Sequence, residues 1–220
     1  MNHSLSGKSV IIMTPARHFT VSYVKSLIDT LSWCFQNDII CKLVTLDGSH
    51  VAQLRQAMTH GLKEADESFD YAFWIDSDVS WNVKDFETLL SSPYDITCGL
   101  YLITEDGGIS VHKTAESVNK HSGVLMKHSE LNKYRRYFEV GCSGFGFICL
   151  KNNVIDSMHP DWFMSRTAIN TYKNGDTEEI MISGEDIAWC YCARDAGYKV
   201  MCDATVLVGH EKSSVWKIPR

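Results

Sequence analysis

Along the first third of the chain, blocks of apolar residues change period in a regular way. Lys8 to Thr14 (KSVIIMT) is a short apolar, β-rich run closed by Pro15, which predicts a buried strand running into a loop. From Phe19 to Phe35 the apolar residues fall at Val21, Val24, Leu27, Ile28, Leu31 and Phe35, a helical spacing. The unit then repeats. Ile39 to Leu46 reads as a strand, Asp47-Gly48-Ser49 as a turn with a capping residue, and Val51 to Ala65 as a helix. A third strand is predicted over Tyr71 to Ile75.

Strands alternating with helical patterns predict βαβ units, a parallel arrangement and right-handed crossovers. In such a sheet the loops at the carboxyl ends of the strands line the ligand crevice. Here those loops begin at Thr14, Asp47 and Asp76. The second half is less regular. Strand-like runs occur at Ile96 to Ile103 and Phe145 to Leu150, with a Gly-rich GCSGFG leading into the second, and helix candidates begin at Asn152 and Glu185. Two further strands are expected, at Lys199 to Cys202 and Thr205 to Val208, before a basic tail. Thr104 to His128, polar with two adjacent glycines, reads as a mobile segment or a surface hairpin.

Composition narrows the function classes. A chain of 220 residues with 45% hydrophobic content suits one compact domain. The formal net charge is −6 and no basic stripe is interleaved with aromatics, so nucleic acid is not an expected partner. A small phosphorylated ligand stays compatible, because a metal ion can neutralise it inside an acidic protein. None of the eight cysteines forms a Cys-x-x-Cys pair and most sit in apolar runs, which predicts buried reduced thiols rather than a disulfide set. No apolar run approaches the ~18 residues of a membrane helix, so no transmembrane segment is expected and the predicted compartment is the cytoplasm.

The candidate chemistry centres on Asp76-Ser77-Asp78, where an apolar strand ends in two carboxylates. By composition about one Asp-x-Asp is expected in such a chain, so the motif gains weight only from its place at a strand end. Hard cations such as Mg²⁺ and Mn²⁺ take oxygen ligands, usually one or two carboxylates completed by substrate phosphates.

At this point the sequence resembles glycosyltransferases of the GT-A fold. The resemblance rests on the order of short motifs: Thr14-Pro15-Ala16-Arg17 after the first strand, Asp47-Gly48 after the second, Asp76-Ser77-Asp78 after the third, Gly184-Glu185-Asp186 at a helix start, and Gly209-His210 near the end. It implies a single α/β domain, with a nucleotide-sugar-binding half over residues 1–103, an acceptor and catalytic half over 104–220, a mixed central sheet and helices on both faces. It further implies a nucleoside-diphosphate sugar donor, uridine-linked, and a hydroxyl acceptor on a glycan or glycoconjugate. Thr14, Pro15, Ala16, Arg17 and Asp47 would hold base and ribose, and Arg55 would reach the ribose or diphosphate as a planar donor. Asp78 would be the principal metal ligand, with His210 completing the coordination and Asp76 facing the ribose or a metal-bound water. An imidazole ligand favours Mn²⁺ over Mg²⁺. Asp186 would be the catalytic base of an inverting reaction, with Glu185 the alternate. Gly144, in Cys142-Ser143-Gly144-Phe145-Gly146-Phe147, would let substrate approach the backbone, and Gly99-Leu100-Tyr101 would wall the sugar pocket. Trp162, Trp189 and Trp216 are candidates to stack on sugars.

Two other readings share these residues. Phe73 to Val79 also resembles the nucleophile strand of haloacid-dehalogenase phosphohydrolases, with Asp76 attacking phosphate, although that strand normally opens the domain and here follows two βα units. The other is a non-catalytic sugar-nucleotide-binding module.

Overall fold

A computed structural model describes residues 5–65, 67–113, 125–171, 175–182 and 184–212. Its first half follows the predicted rhythm: β1 (Ser9–Pro15), α1 (Val21–Gln36), β2 (Ile40–Leu46), α2 (Val51–Glu64) and β3 (Tyr71–Ile75). Then come β4 (Val79–Ser80), α3 (Val83–Leu90), β5 (Ile96–Leu100), β6 (Gly108–His112), β7 (Leu125–Lys127), β8 (Tyr137–Glu139), β9 (Cys142–Ser143), β10 (Phe147–Lys151) and α4 (Asn152–Ser157). The last elements are β11 (Arg166–Thr171), β12 (Thr177–Ile182), α5 (Glu185–Asp195), β13 (Val200–Leu207) and β14 (Gly209–His210).

The main sheet runs β2-β1-β3-β10-β5-β13-β8. Strands β2, β1 and β3 are parallel, β10 is antiparallel to β3 and β5, β13 is parallel to β5, and β8 closes the far edge antiparallel to β13. This is the mixed α/β sheet expected, with the βαβαβ half intact.

Both faces of the sheet are covered, which explains why its central strands read as unbroken apolar runs. Ile11, Met13, Trp74, Ile148 and Leu150 point to the side of α2 and α5, with Met58, Leu62 and Trp189. Val10, Ile12, Phe73, Ile75, Phe147 and Cys149 alternate to the other side, with Tyr23 and Cys34 of α1 and Phe86 and Leu89 of α3. All eight cysteines are free thiols, and six are buried.

Several local expectations are corrected. The cap of α2 is His50, which makes no side-chain cap bond, rather than a residue of Asp47-Gly48-Ser49. The two strands expected at 199–202 and 205–208 are one strand, β13, whose register against β5 shifts between Cys202 and Leu207. Helix α3 was not foreseen. Its signal was present as a capping box: the Asn82 side chain accepts from the Asp85 N–H at 3.0 Å and the Asp85 carboxylate accepts from the Asn82 N–H at 3.0 Å. Thr104 to His128 supplies the paired strands β6 and β7, with 114–124 outside the described residues.

Candidate active site

The loop after β3 is fixed from three sides. The Asp76 N–H donates to the Gly146 carbonyl at 3.1 Å, the Thr20 N–H donates to the Ser77 carbonyl at 3.0 Å, and the Glu211 N–H donates to the Asp78 carbonyl at 2.8 Å. The two-residue antiparallel ladder of β4 with β14 places His210 opposite Val79. That pairing carries the His210 ring to Asp78, with Nε2 3.4 Å from Oδ2.

The tautomer of His210 follows from its other nitrogen. Nδ1 lies 2.8 Å from the Leu102 carbonyl oxygen, an acceptor only, so Nδ1 carries a proton and donates. Nε2 then faces the Asp78 carboxylate either as an imidazolium or with a lone pair that a cation would relieve. The hydrogen bond to Asp78 raises the His210 pKa above its ordinary value, and the reciprocal contact lowers that of Asp78. An imidazole oriented by a backbone carbonyl beside a carboxylate is a donor set that suits Mn²⁺. Among the described residues no group of three or more His, Cys, Asp or Glu side chains is gathered as a metal site. A cation held here would therefore complete its shell with water and phosphate oxygens, the usual habit of such ions.

Asp76 takes a different partner. Arg55, one turn into α2, is 2% exposed. Its Nη2 donates to Asp76 Oδ1 at 2.8 Å and its Nη1 to Glu185 Oε1 at 2.9 Å, while the guanidinium lies over the Phe145 ring at 5.2 Å. Burial disfavours the Arg55 charge, but Asp76, Glu185 and Asp186 outweigh it and hold the guanidinium protonated. Arg55 is thus no solvated helix residue: it ties the loop after β3 to the start of α5.

Asp186 stands in the first turn of α5, where its Oδ1 accepts the Ile187 N–H at 2.7 Å. Its pKa is raised to about 6, chiefly by burial and in part by the neighbouring Glu185 and Asp76 charges, against the opposing pull of Arg55 and the Ile187 N–H. A carboxyl group that titrates near neutrality is suited to accept a proton from a hydroxyl.

These groups share one cleft of about 270 Å³, lined by Pro15, Val51, Arg55, Asp76, Ser77, Asp78, Tyr101, Phe145, Glu185 and Asp186. Eight of the expected residues therefore converge in its wall, Tyr101 among them as the expected pocket wall, and His210 reaches it through Asp78. The others lie elsewhere. Thr14 is fully buried, its hydroxyl bonded to that of Tyr23 at 2.6 Å, so its side chain has no ligand surface. Ala16 joins the β2 end through its N–H to the Leu46 carbonyl, while Arg17 and Asp47 are exposed and outside the cleft wall. At Gly144 and Gly146 the close approach is made by protein: a Cβ would lie 2.4 and 2.6 Å from the Tyr101 hydroxyl, which accepts the Gly146 N–H at 3.1 Å. Trp189 is buried among Phe145, Trp162 and Phe163 rather than free to stack on a sugar. Ser183, Trp216, Lys217 and Arg220 lie outside the described residues.

Phe145 and Val51 were missed as cleft residues. Phe145 stood between two glycines in a motif read for its small residues, and only the cation–π contact with Arg55 reveals its part.

The architecture, a βαβαβ half running into a mixed sheet, is that of the GT-A type. No family model matches the sequence, and no curated protein matches it. Among solved structures, A197 from STIV aligns with a TM-score of 0.50 at 16% identity, over 96% of this chain and 98% of that one. The catalytic domain of Drosophila beta1,4-galactosyltransferase 7 in complex with xylobiose aligns with a TM-score of 0.48 at 13% identity, over 94% and 71%. A mutant of that enzyme in complex with manganese, UDP-Gal and xylobiose aligns with a TM-score of 0.47 at 15% identity, over 94% and 71%. At these identities the likeness is one of fold. No helix among the described residues is long and apolar enough to cross a membrane.

Proposed function

We propose that the protein is a metal-dependent glycosyltransferase that moves a sugar from a nucleoside diphosphate to a hydroxyl acceptor on a glycan or glycoconjugate. The observation that carries this reading is the convergence of two chemically distinct pairs in one cleft: Asp78 with His210, and Glu185 with Asp186, the latter joined to Asp76 through Arg55. The first pair would hold a divalent cation, Mn²⁺ by its donor set, which would supply Lewis-acid stabilisation to the diphosphate leaving group. The second pair holds a base.

In the proposed reaction the acceptor hydroxyl attacks the anomeric carbon. The new C–O bond forms as the bond from that carbon to the phosphate oxygen breaks, and the hydroxyl proton passes to the Asp186 carboxylate. Asp186 is raised toward neutrality by its burial, so it accepts that proton without being permanently ionised in its pocket. Glu185 is fixed on Arg55 and so is less free to take the proton. Tyr101 and Phe145 provide the apolar wall beside which the sugar would lie.

The uridine base carries over from the family resemblance and defines the first donor to test. Calorimetry should show UDP binding that requires Mn²⁺ and is lost in Asp78→Ala; intact binding in that variant would sink the assignment. A chain that binds UDP with Mn²⁺ yet turns over no donor sugar would instead be a binding module. Against phosphohydrolysis stands Asp76 itself, whose carboxylate is engaged by a buried guanidinium at 2.8 Å rather than open for attack on phosphate.

A further inference from the structure

Helix α1 packs in a way its sequence does not lead one to expect. Its buried residues are Tyr23, Ser26, Thr30 and Cys34. The two small hydroxyl residues face the core because they serve Trp81: Ser26 Oγ accepts its backbone N–H at 3.0 Å and Thr30 Oγ1 accepts its indole N–H at 2.8 Å. Tyr23 is buried beside them and Leu27 and Trp33 pack against the core, but five other apolar side chains are turned outward. Val21 is 72% exposed, Ile28 59% and Phe35 88%, with Val24 at 40% and Leu31 partly exposed between them.

These five residues are spaced by three, four, three and four. At 100° per residue they form a band roughly 80° wide, on the side of the helix away from Ser26 and Thr30. That alternation is the seam along which one helix packs on another at a shallow crossing angle. Leu43 of the edge strand β2, 36% exposed, lies on the same face of the sheet as α1. An apolar surface of a few hundred Å² is at the upper end of what a monomeric protein exposes, and a patch of that size often marks an interaction site.

We infer that this face is the contact between two copies of the chain, related by a two-fold axis that sets α1 antiparallel to its counterpart with Ile28 near the axis. Three observations favour a second copy. The band is symmetric about Ile28, with Val21 and Phe35 each seven residues away, so an antiparallel partner places Val21 opposite Phe35 and repeats the contact. The flanks carry one cation, Lys25, and one anion, Asp29, so no cluster of like charge meets itself across the axis. The exposed apolar area is on the order of 500 Å² per copy, matching the non-polar share of the ~800 Å² per partner in a standard interface. A membrane surface is disfavoured, because helices that lie on bilayers carry a basic polar face, whereas α1 has a single lysine in a chain of net charge −6.

Sedimentation equilibrium on the full chain at tens of micromolar tests this. The expected result is a dimer whose dissociation constant rises at least tenfold in Ile28→Glu and in Phe35→Glu, both exposed positions whose variants should keep the wild-type circular dichroism. Ile28→Cys should give a disulfide-linked dimer on mild oxidation, where the wild-type chain does not. A monomer at these concentrations overturns the inference, as does a dimer indifferent to both glutamates. Co-sedimentation of monomeric protein with vesicles of anionic phospholipid would assign the face to a membrane and overturn it equally.

Discussion

Asp186 is the residue at which stability and the proposed activity pull apart. Its pKa is raised to about 6 in the folded chain, above the ordinary carboxylate value. Between about pH 4 and 6 the folded state therefore holds a proton that the unfolded state has released, and stability falls as pH rises through that window. Asp186→Asn should remove this slope and leave the protein more stable at pH 7, by about 1 kcal/mol and below the ~3 kcal/mol that two pKa units would represent. The same variant should lose ~10²- to 10⁴-fold in turnover, the usual worth of a general base. Chemical denaturation at pH 4 and pH 7, with transfer assays, measures both; a variant destabilised at pH 7, or one that keeps wild-type turnover, contradicts the assignment. Arg55 has the opposite character. Arg55→Met would leave Asp76 and Glu185 facing a buried apolar side chain, and should cost ~3–5 kcal/mol in a urea titration. Arg55→Lys should recover only part of that loss, since one ammonium lacks the planar fork that spans two carboxylates.

At the scale of elements, the glycines separate positions where packing is tight from positions where it is open. Gly99 lies in β5 at the middle of the sheet, and a Cβ there would come within 2.7 Å of Phe147 and 2.8 Å of Val206. Gly99→Ala should destabilise by ~1–3 kcal/mol as strands β10 and β13 shift to make room. Gly61 lies inside α2 with nothing within 4 Å of its Cβ position. Gly61→Ala should stabilise by ~0.5–1 kcal/mol, because alanine costs less backbone entropy in a helix. Thermal melts of the two variants should move in opposite directions. The short elements are where sequence reading was weakest. Strands β4 and β14 are two residues each, too brief for any periodicity, yet their ladder is what brings His210 to Asp78. In α1 the helix was legible and its orientation was not: the spacing marks an apolar stripe, but Trp81's need for two hydroxyl acceptors turns Ser26 and Thr30 inward.

For the whole molecule, the charge balance and the cleft fit together. Asp76, Glu185 and Asp186 stand around one buried guanidinium, with Asp78 in the same cleft wall, in a chain of net charge −6. A diphosphate entering such a cleft alone would meet repulsion, so binding of the nucleotide should depend on a divalent cation, as the calorimetric test requires. The proposed dimer face on α1 is a separate surface. None of its apolar residues lines the cleft, although Thr20, the N-cap of α1, is bonded to the Ser77 carbonyl of the loop after β3.

The sequence by itself determined the βαβαβ half, because strands covered on both faces read as near-continuous apolar runs, as Val10 to Met13 of β1 and all of β3 do. It also determined that Asp76-Ser77-Asp78 ends the third strand, and that Glu185 and Asp186 open a helix, since carboxylates in a first turn are favoured by the helix dipole. Only the tertiary structure decided which of these groups meet. Asp78 finds His210 through a ladder of two short strands, Asp76 is held by Arg55, and Thr14 is sealed under Tyr23. The physical reason is that pattern along a chain records burial and local geometry, whereas the partners of a polar side chain are fixed by contacts between segments far apart in sequence. Within Asp76-Ser77-Asp78, spacing alone gave the two carboxylates equal standing, and the fold gave them different neighbours.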